Sequence, residues 1–106
     1  MSEFIQVTTT ASTKEEAGGI AKALLEPRLA ACVQIAGPIE SHYWWKGQLE
    51  QSAEWLCIVK TLRVKYAAVE AAIRAAHSYE VPEIVAVPID TGGASYLAWL
   101  RGEVSG

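Results

Sequence analysis

Ala31-Cys-Val-Gln-Ile-Ala-Gly-Pro-Ile-Glu-Ser-His-Tyr-Trp-Trp45, then Lys46-Gly47, then Gln48-Leu-Glu-Gln-Ser-Ala-Glu-Trp-Leu-Cys-Ile-Val-Lys-Thr61 is the stretch that decides the fold. Both arms are rich in β-branched and aromatic residues, and a short Gly-containing turn separates them, which predicts a β-hairpin. Each arm holds roughly 13 residues, about 43 Å of strand at about 3.3 Å per residue. A globule of this chain length has a radius of gyration of about 13 Å and a diameter of about 30 to 35 Å. The hairpin must therefore bend sharply or reach beyond its own domain. Gly37-Pro38 interrupts the first arm, because Pro donates no ladder hydrogen bond, and marks a bulge or bend. It divides the hairpin into a nearly apolar base half, residues 31–36 with 56–61, and an outer half, residues 39–55. The outer half carries Tyr43, Trp44, Trp45 and Trp55. So dense an aromatic cluster marks an interface, and the partner expected to cover it is another copy of the chain.

The rest of the chain supplies elements to either side. Phe4-Ile-Gln-Val-Thr-Thr-Thr10 reads as a strand, and Ser12-Thr-Lys-Glu15 as a capping box that opens a helix. Ala17, Ile20, Ala21, Leu24 and Leu25 form its apolar stripe, and Pro27 ends it near Glu26. Gly18 and Gly19 cost that helix about 1 kcal/mol each against Ala, a cost that close approach to a sheet would explain. A second helix is predicted from about Arg63 to Ala76, capped by Thr61, with Tyr66, Val69 and Ile73 buried. Residues 83–89 read as a final strand whose Pro88 suits an edge, and Ser95 opens a short terminal helix. The order is strand, helix, strand, strand, helix, strand, then an added helix. That is the α+β, split β-α-β pattern of the ferredoxin-like fold. No linker, repeat or low-complexity segment divides residues 1–106, so one domain is expected.

Half of the 106 residues are apolar, as in a packed globular protein. Nine basic and twelve acidic residues give a formal charge of −3 with no basic run, which argues against nucleic acid as a partner. No apolar stretch approaches the roughly 18 residues of a membrane span, and Met-Ser-Glu-Phe lacks a basic lead into an apolar segment. A cytoplasmic location is the expectation, with Cys32 and Cys57 as reduced thiols. A two-residue turn at Lys46-Gly47 sets Trp45 opposite Gln48, Cys57 opposite Ala36 and Cys32 opposite Thr61. The cysteines are out of register for a bridge.

Chemistry-bearing residues concentrate at Lys60 and in His77-Ser-Tyr-Glu-Val-Pro-Glu83. Lys60 could bind a small anion; His77 with a carboxylate could bind a metal. No nucleophile–base–orienter set is visible, so catalysis is not expected. His42, opposite Gln51, reads as an exposed or interfacial strand residue. No paired-His, Cys-X-X-Cys or calcium-loop pattern occurs.

Taken together, Leu29-Ala-Ala-Cys-Val33, Gly37-Pro-Ile39, Ser41-His-Tyr-Trp-Trp-Lys-Gly47, Glu54, Lys60-Thr61, His77-Ser-Tyr-Glu-Val-Pro-Glu83 and Tyr96-Leu-Ala-Trp99 resemble the CutA divalent-cation tolerance family. The resemblance runs from about Phe4 to Leu100. It implies a homotrimer of ferredoxin-like subunits joined through long hairpins, a non-enzymatic role in tolerance of copper and other divalent cations, and no required cofactor. Family members are described as binding copper through a cysteine at the end of the first strand and two adjacent histidines. In this sequence those positions are Thr9, Ala76 and His77, so His77 is the one candidate metal ligand carried over. The trimer also resembles PII signalling proteins, which implies a second reading: a small anionic ligand held by Lys60, Tyr79 and Glu83 between subunits.

Overall fold

The computed structural model describes residues 2–104. Four strands and three α-helices follow the expected order: β1 (Phe4–Ala11), α1 (Lys14–Leu25), β2 (Cys32–Trp45), β3 (Gln48–Leu62), a 3-10 turn (Arg63–Lys65), α2 (Tyr66–Ala76), β4 (Val85–Pro88) and α3 (Ala94–Glu103). The strands form one antiparallel sheet in the order β2-β3-β1-β4.

The hairpin reaches rather than folds back. Its arms are 14 and 15 residues long, and the molecule measures 44 × 25 × 22 Å with a radius of gyration of 14.2 Å. Lys46 (φ 50°) and Gly47 (φ 80°) close it as a two-residue turn with Trp45 opposite Gln48. Positive φ at both central residues gives the turn the twist of its strands, and Gly47 adopts it without a Cβ penalty.

The interruption in β2 is a bulge, across a cis Gly37-Pro38 peptide. Ala36 faces Leu56 and Ile39 faces Glu54, so two residues of β2 oppose Trp55 alone. A Cβ at Gly37 would stand 2.8 Å from the Trp55 ring, so only glycine admits the tryptophan there. The extra residue moves the base register by one from that expected. Cys57 faces Ile35 and Cys32 faces Lys60. The cysteines remain out of register with each other, and both are free.

One face of the sheet packs on α1 and α2. Ile5, Val7 and Ala11 of β1 with Cys57 and Val59 of β3 meet Ala17, Ile20, Leu24, Val69 and Ile73. Burying each larger aliphatic side chain contributes about 1.5 to 3 kcal/mol. On the other face α3 sets Leu97, Leu100 and the following Val104 against Phe4 and Leu62 at the base of the sheet.

Several local expectations change. The capping box sits one residue later: Glu16 N donates to Thr13 Oγ1 at 3.0 Å, while the Glu16 carboxylate accepts from Ser12 N at 3.1 Å. Gly18 and Gly19 touch no sheet, since a Cβ on either would meet nothing within 4 Å. Thr61 caps no helix; it is buried in β3 and donates to the Leu29 carbonyl at 2.6 Å. The last strand is shorter than residues 83–89. Pro88 sits on its edge opposite Ile5, where no ladder partner needs its missing N–H.

Candidate functional site

The segment after α2 crosses the end of β1 and returns beside the outer hairpin. His77 fixes its start. His77 Nε2 lies 2.6 Å from the Thr10 carbonyl, which accepts only, so Nε2 carries the proton and donates. Nδ1 is then the ring's acceptor, and it takes the Tyr79 N–H at 3.2 Å. The His77 and Tyr79 rings stand 4.7 Å apart. Glu16 holds the residue between them: its Oε2 accepts the Ser78 N–H at 2.9 Å. Burial pushes the Glu16 carboxyl up, but the hydrogen bonds from Ser78 and Ser12 outweigh it and hold the group below the ordinary carboxylate range.

Tyr79 then reaches past the end of β1 and donates its hydroxyl to Glu54 Oε2 at 2.7 Å. Glu54 is only 7% exposed, in the middle of β3. Burial, and next the Glu54 hydrogen bond and charge, raise the Tyr79 phenol far above its ordinary range, with Tyr43 and Glu16 adding to it. The result is a cleft of about 840 Å³ between the outer hairpin and the returning segment, walled by Tyr43, Trp45, Tyr79 and Pro82 and carrying Glu54 and Glu83. Side chains alternate across a strand, and Ile39 faces Glu54, so Ser41, Tyr43 and Trp45 share Glu54's side. His42 and Trp44 alternate with them along the strand, and both still border the cleft. Lys46 bridges the rim: its ammonium lies 5.5 Å from the centre of the Trp45 ring and 3.8 Å from Glu80 Oε2.

Of the residues expected to form an anion site, Tyr79 and Glu83 come together here, and Lys60 does not join them. Its ammonium donates to Gln34 Oε1 at 2.7 Å, across the base of the hairpin. Among the aromatics expected at an interface, Trp44 is 73% exposed, Tyr43 40% and Trp45 37%. Trp55 stands apart: it sits at the bulge, half-buried against the core, with Lys14 5.8 Å from its ring. His42 is exposed opposite Gln51, as expected, and pairs with Glu40 at 2.6 Å.

The copper ligand set does not fit this chain. Both nitrogens of His77 are committed to the main chain. Thr9 is buried with a hydroxyl that has no hydrogen-bond partner among the described residues. Cys57 is buried, and burial, with the Glu16 charge, pushes its thiol up to about 11. Among the described residues no group of three or more His, Cys, Asp or Glu side chains converges as a metal site.

The model of the CutA1 divalent ion tolerance protein family matches residues 5–103. The chain belongs to this family. It is 47% identical over 100 residues to the divalent-cation tolerance protein CutA of Archaeoglobus fulgidus, covering 94% of this chain and 95% of that one. It is 40% identical over 92 residues to human protein CutA, covering 87% of this chain and 51% of that one. The chain thus spans about half the length of such plant and animal relatives. Among solved structures, the divalent cation tolerance protein of Thermus thermophilus superposes with a TM-score of 0.93 at 42% identity, covering 96% of this chain and 99% of that one. The CutA family is named for cation tolerance and for no catalysed reaction.

These relatives correct the expected location. A structural neighbour from Archaeoglobus fulgidus, 44% identical with a TM-score of 0.93, is described as periplasmic, and the rice and Arabidopsis thaliana relatives are described as chloroplastic. The same folded domain is thus assigned to several compartments, so its charge and composition do not place it in the cytoplasm. That the cysteines are unbridged rests on the strand register alone.

Sequence reasoning missed Glu54 as the centre of the site, along with Glu16 and Lys46. The available signal was a lone carboxylate between Ala53 and Trp55, at the inner end of the outer arm. A charge in that setting needs a buried partner.

Proposed function

We propose that the chain acts in divalent-cation tolerance as a non-catalytic homotrimer of ferredoxin-like subunits, and that cations meet weak carboxylate contacts in the cleft rather than a tight copper site. The single observation that carries this reading is the charge of the cleft. It holds Glu54, Glu80 and Glu83, while Lys60, the cation an anion site would need, lies outside it. That placement disfavours a PII-like anion site built on Lys60, Tyr79 and Glu83. The strand order β4-β1-β3-β2, with α1 and α2 on one face, supports the ferredoxin-like description. Trp44 and Leu49, opposite each other at the hairpin tip and 73% and 64% exposed, support assembly through the hairpin.

Calorimetry of the purified protein with copper and zinc tests the cation reading. The expected result is binding no tighter than about 0.1 mM, about −5.5 kcal/mol, and unchanged in His77→Ala. Submicromolar copper binding abolished by His77→Ala would overturn it. So would heat from ADP or citrate that Lys60→Ala removes.

A further inference from the structure

The walls of the cleft say more about its occupant than its charge does. A bare divalent ion gains little from aromatic rings and keeps its water when carboxylates do not converge on it. An alkylammonium ion gains from both: rings attract its positive end and its methylenes, and a carboxylate accepts its N–H groups. Tyr43, Trp45 and Tyr79 supply the rings. Glu54 supplies the acceptor. Its Oε2 is taken by Tyr79, but its Oε1 has no protein hydrogen bond among the described residues, although the residue is only 7% exposed and lines the cleft. A second observation is independent of the acids. The protein's own ammonium group, on Lys46, already spans Trp45 and Glu80 at this rim. It does so at 71% exposure, where a flexible lysine is free to leave.

We infer that the cleft between the outer hairpin and the Tyr79–Glu83 segment is a binding site for small organic ammonium ions, with Glu54 as the buried acceptor, Trp45 as the cation-binding ring and Lys46 as a tethered competitor. This rests on the cation reading of the cleft and narrows its ligand class. A primary amine suits the geometry, because the free Glu54 oxygen needs an N–H donor and a quaternary ammonium has none.

The probe is n-butylammonium chloride, with 1-butanol as the neutral isostere, added to the intact protein at constant ionic strength. The readout is the indole N–H resonances of Trp45 and Trp99, because Trp99 lies on α3 away from the cleft. The expected result is a saturable shift of Trp45 with a Kd in roughly the millimolar range, no shift of Trp99, and no saturable response to butanol. Glu80→Gln, which alters only an exposed side chain, leaves the fold intact and, by releasing Lys46 towards the ring, weakens binding. Lys46→Met removes the competitor and tightens binding by about twofold to fivefold, the range of an exposed cation–π contact. Glu54→Gln weakens binding by about tenfold or more, with folding checked by circular dichroism. Equal responses to butylammonium and butanol, no saturation by roughly 50 mM, well above the expected Kd, or weaker binding by Lys46→Met would each overturn the inference. If butylammonium fails while zinc still binds, the ammonium site falls and the cation reading stands. If both fail, the two fall together.

Discussion

Replacing Tyr79 with Phe removes one oxygen atom and tests how the returning segment is held. The hydroxyl donates to Glu54 at 2.7 Å, and Glu54 is 7% exposed. Among the described residues no other side chain or main-chain group donates to that carboxylate. Losing a hydrogen bond to a buried charged acceptor costs about 1.5 to 3 kcal/mol. The open side of the cleft gives the carboxylate some water, so about 2 kcal/mol is the expected loss. For a chain of this size that lowers Tm by about 8 to 16 °C, read at one fixed protein concentration because assembly makes Tm concentration-dependent. Glu54→Gln keeps an acceptor opposite Tyr79 and should cost less, about 1 kcal/mol. The double variant should fall short of the sum, because each change removes the same contact. The phenol also gives an alkaline signature. Its folded pKa is raised, by burial first and then by Glu54, so the fold retains the proton that the unfolded chain gives up near pH 10. The stabilisation is complete below about pH 10 and is lost as pH rises above it. Wild type should therefore lose more stability between about pH 9 and about pH 10.5 than Tyr79→Phe does. A Tyr79→Phe protein within about 0.5 kcal/mol of wild type, or additive losses in the double variant, would refute the contact as the element that holds the segment.

Glu16 gives the acid counterpart. Its folded pKa is held below the ordinary 4.5 by Ser78 and Ser12, so its contribution is present above about pH 4.5 and is lost as pH falls through the folded value. Urea midpoints should therefore fall less steeply between about pH 5 and about pH 3 in Glu16→Gln than in wild type. Thr9→Val replaces a buried hydroxyl that has no partner among the described residues with a methyl of similar shape, and should stabilise by about 1 kcal/mol in denaturant titration; a loss of stability would show that the hydroxyl is satisfied. Trp44→Ser should lower the mass seen by light scattering from about three chains towards one while circular dichroism stays unchanged; trimers at the same concentration would remove Trp44 from the interface.

The hairpin was legible because two local signals agreed, the Lys46-Gly47 turn and a run of strand-forming residues too long for a compact globule. The register of its base was not, because a bulge's presence can be read from Gly37-Pro38 but its count of residues depends on Trp55 in the opposite strand. The cleft was half legible. Tyr79 and Glu83 lie in a polar segment that stands out by composition, but Lys60 was grouped with them by fold analogy and points elsewhere. Glu54 escaped because a single acid in a strand reads as solvent-facing until its cross-strand and loop neighbours are known. His77 looked like a ligand because sequence does not show that the Tyr79 N–H and the Thr10 carbonyl take its two nitrogens.

The bulge also works as a phase shifter for evolution. In an uninterrupted strand one alternation governs every position, and any change of face at the tip would drag the core positions with it. Here β3 runs through without interruption while β2 slips by one residue between Ala36 and Ile39. The base can keep its apolar code while the tip is set independently. Deleting Pro38 would leave each tip residue opposite its present β3 partner, so Tyr43 and Trp45 would keep Glu54's side while Gly37 alone faced Trp55.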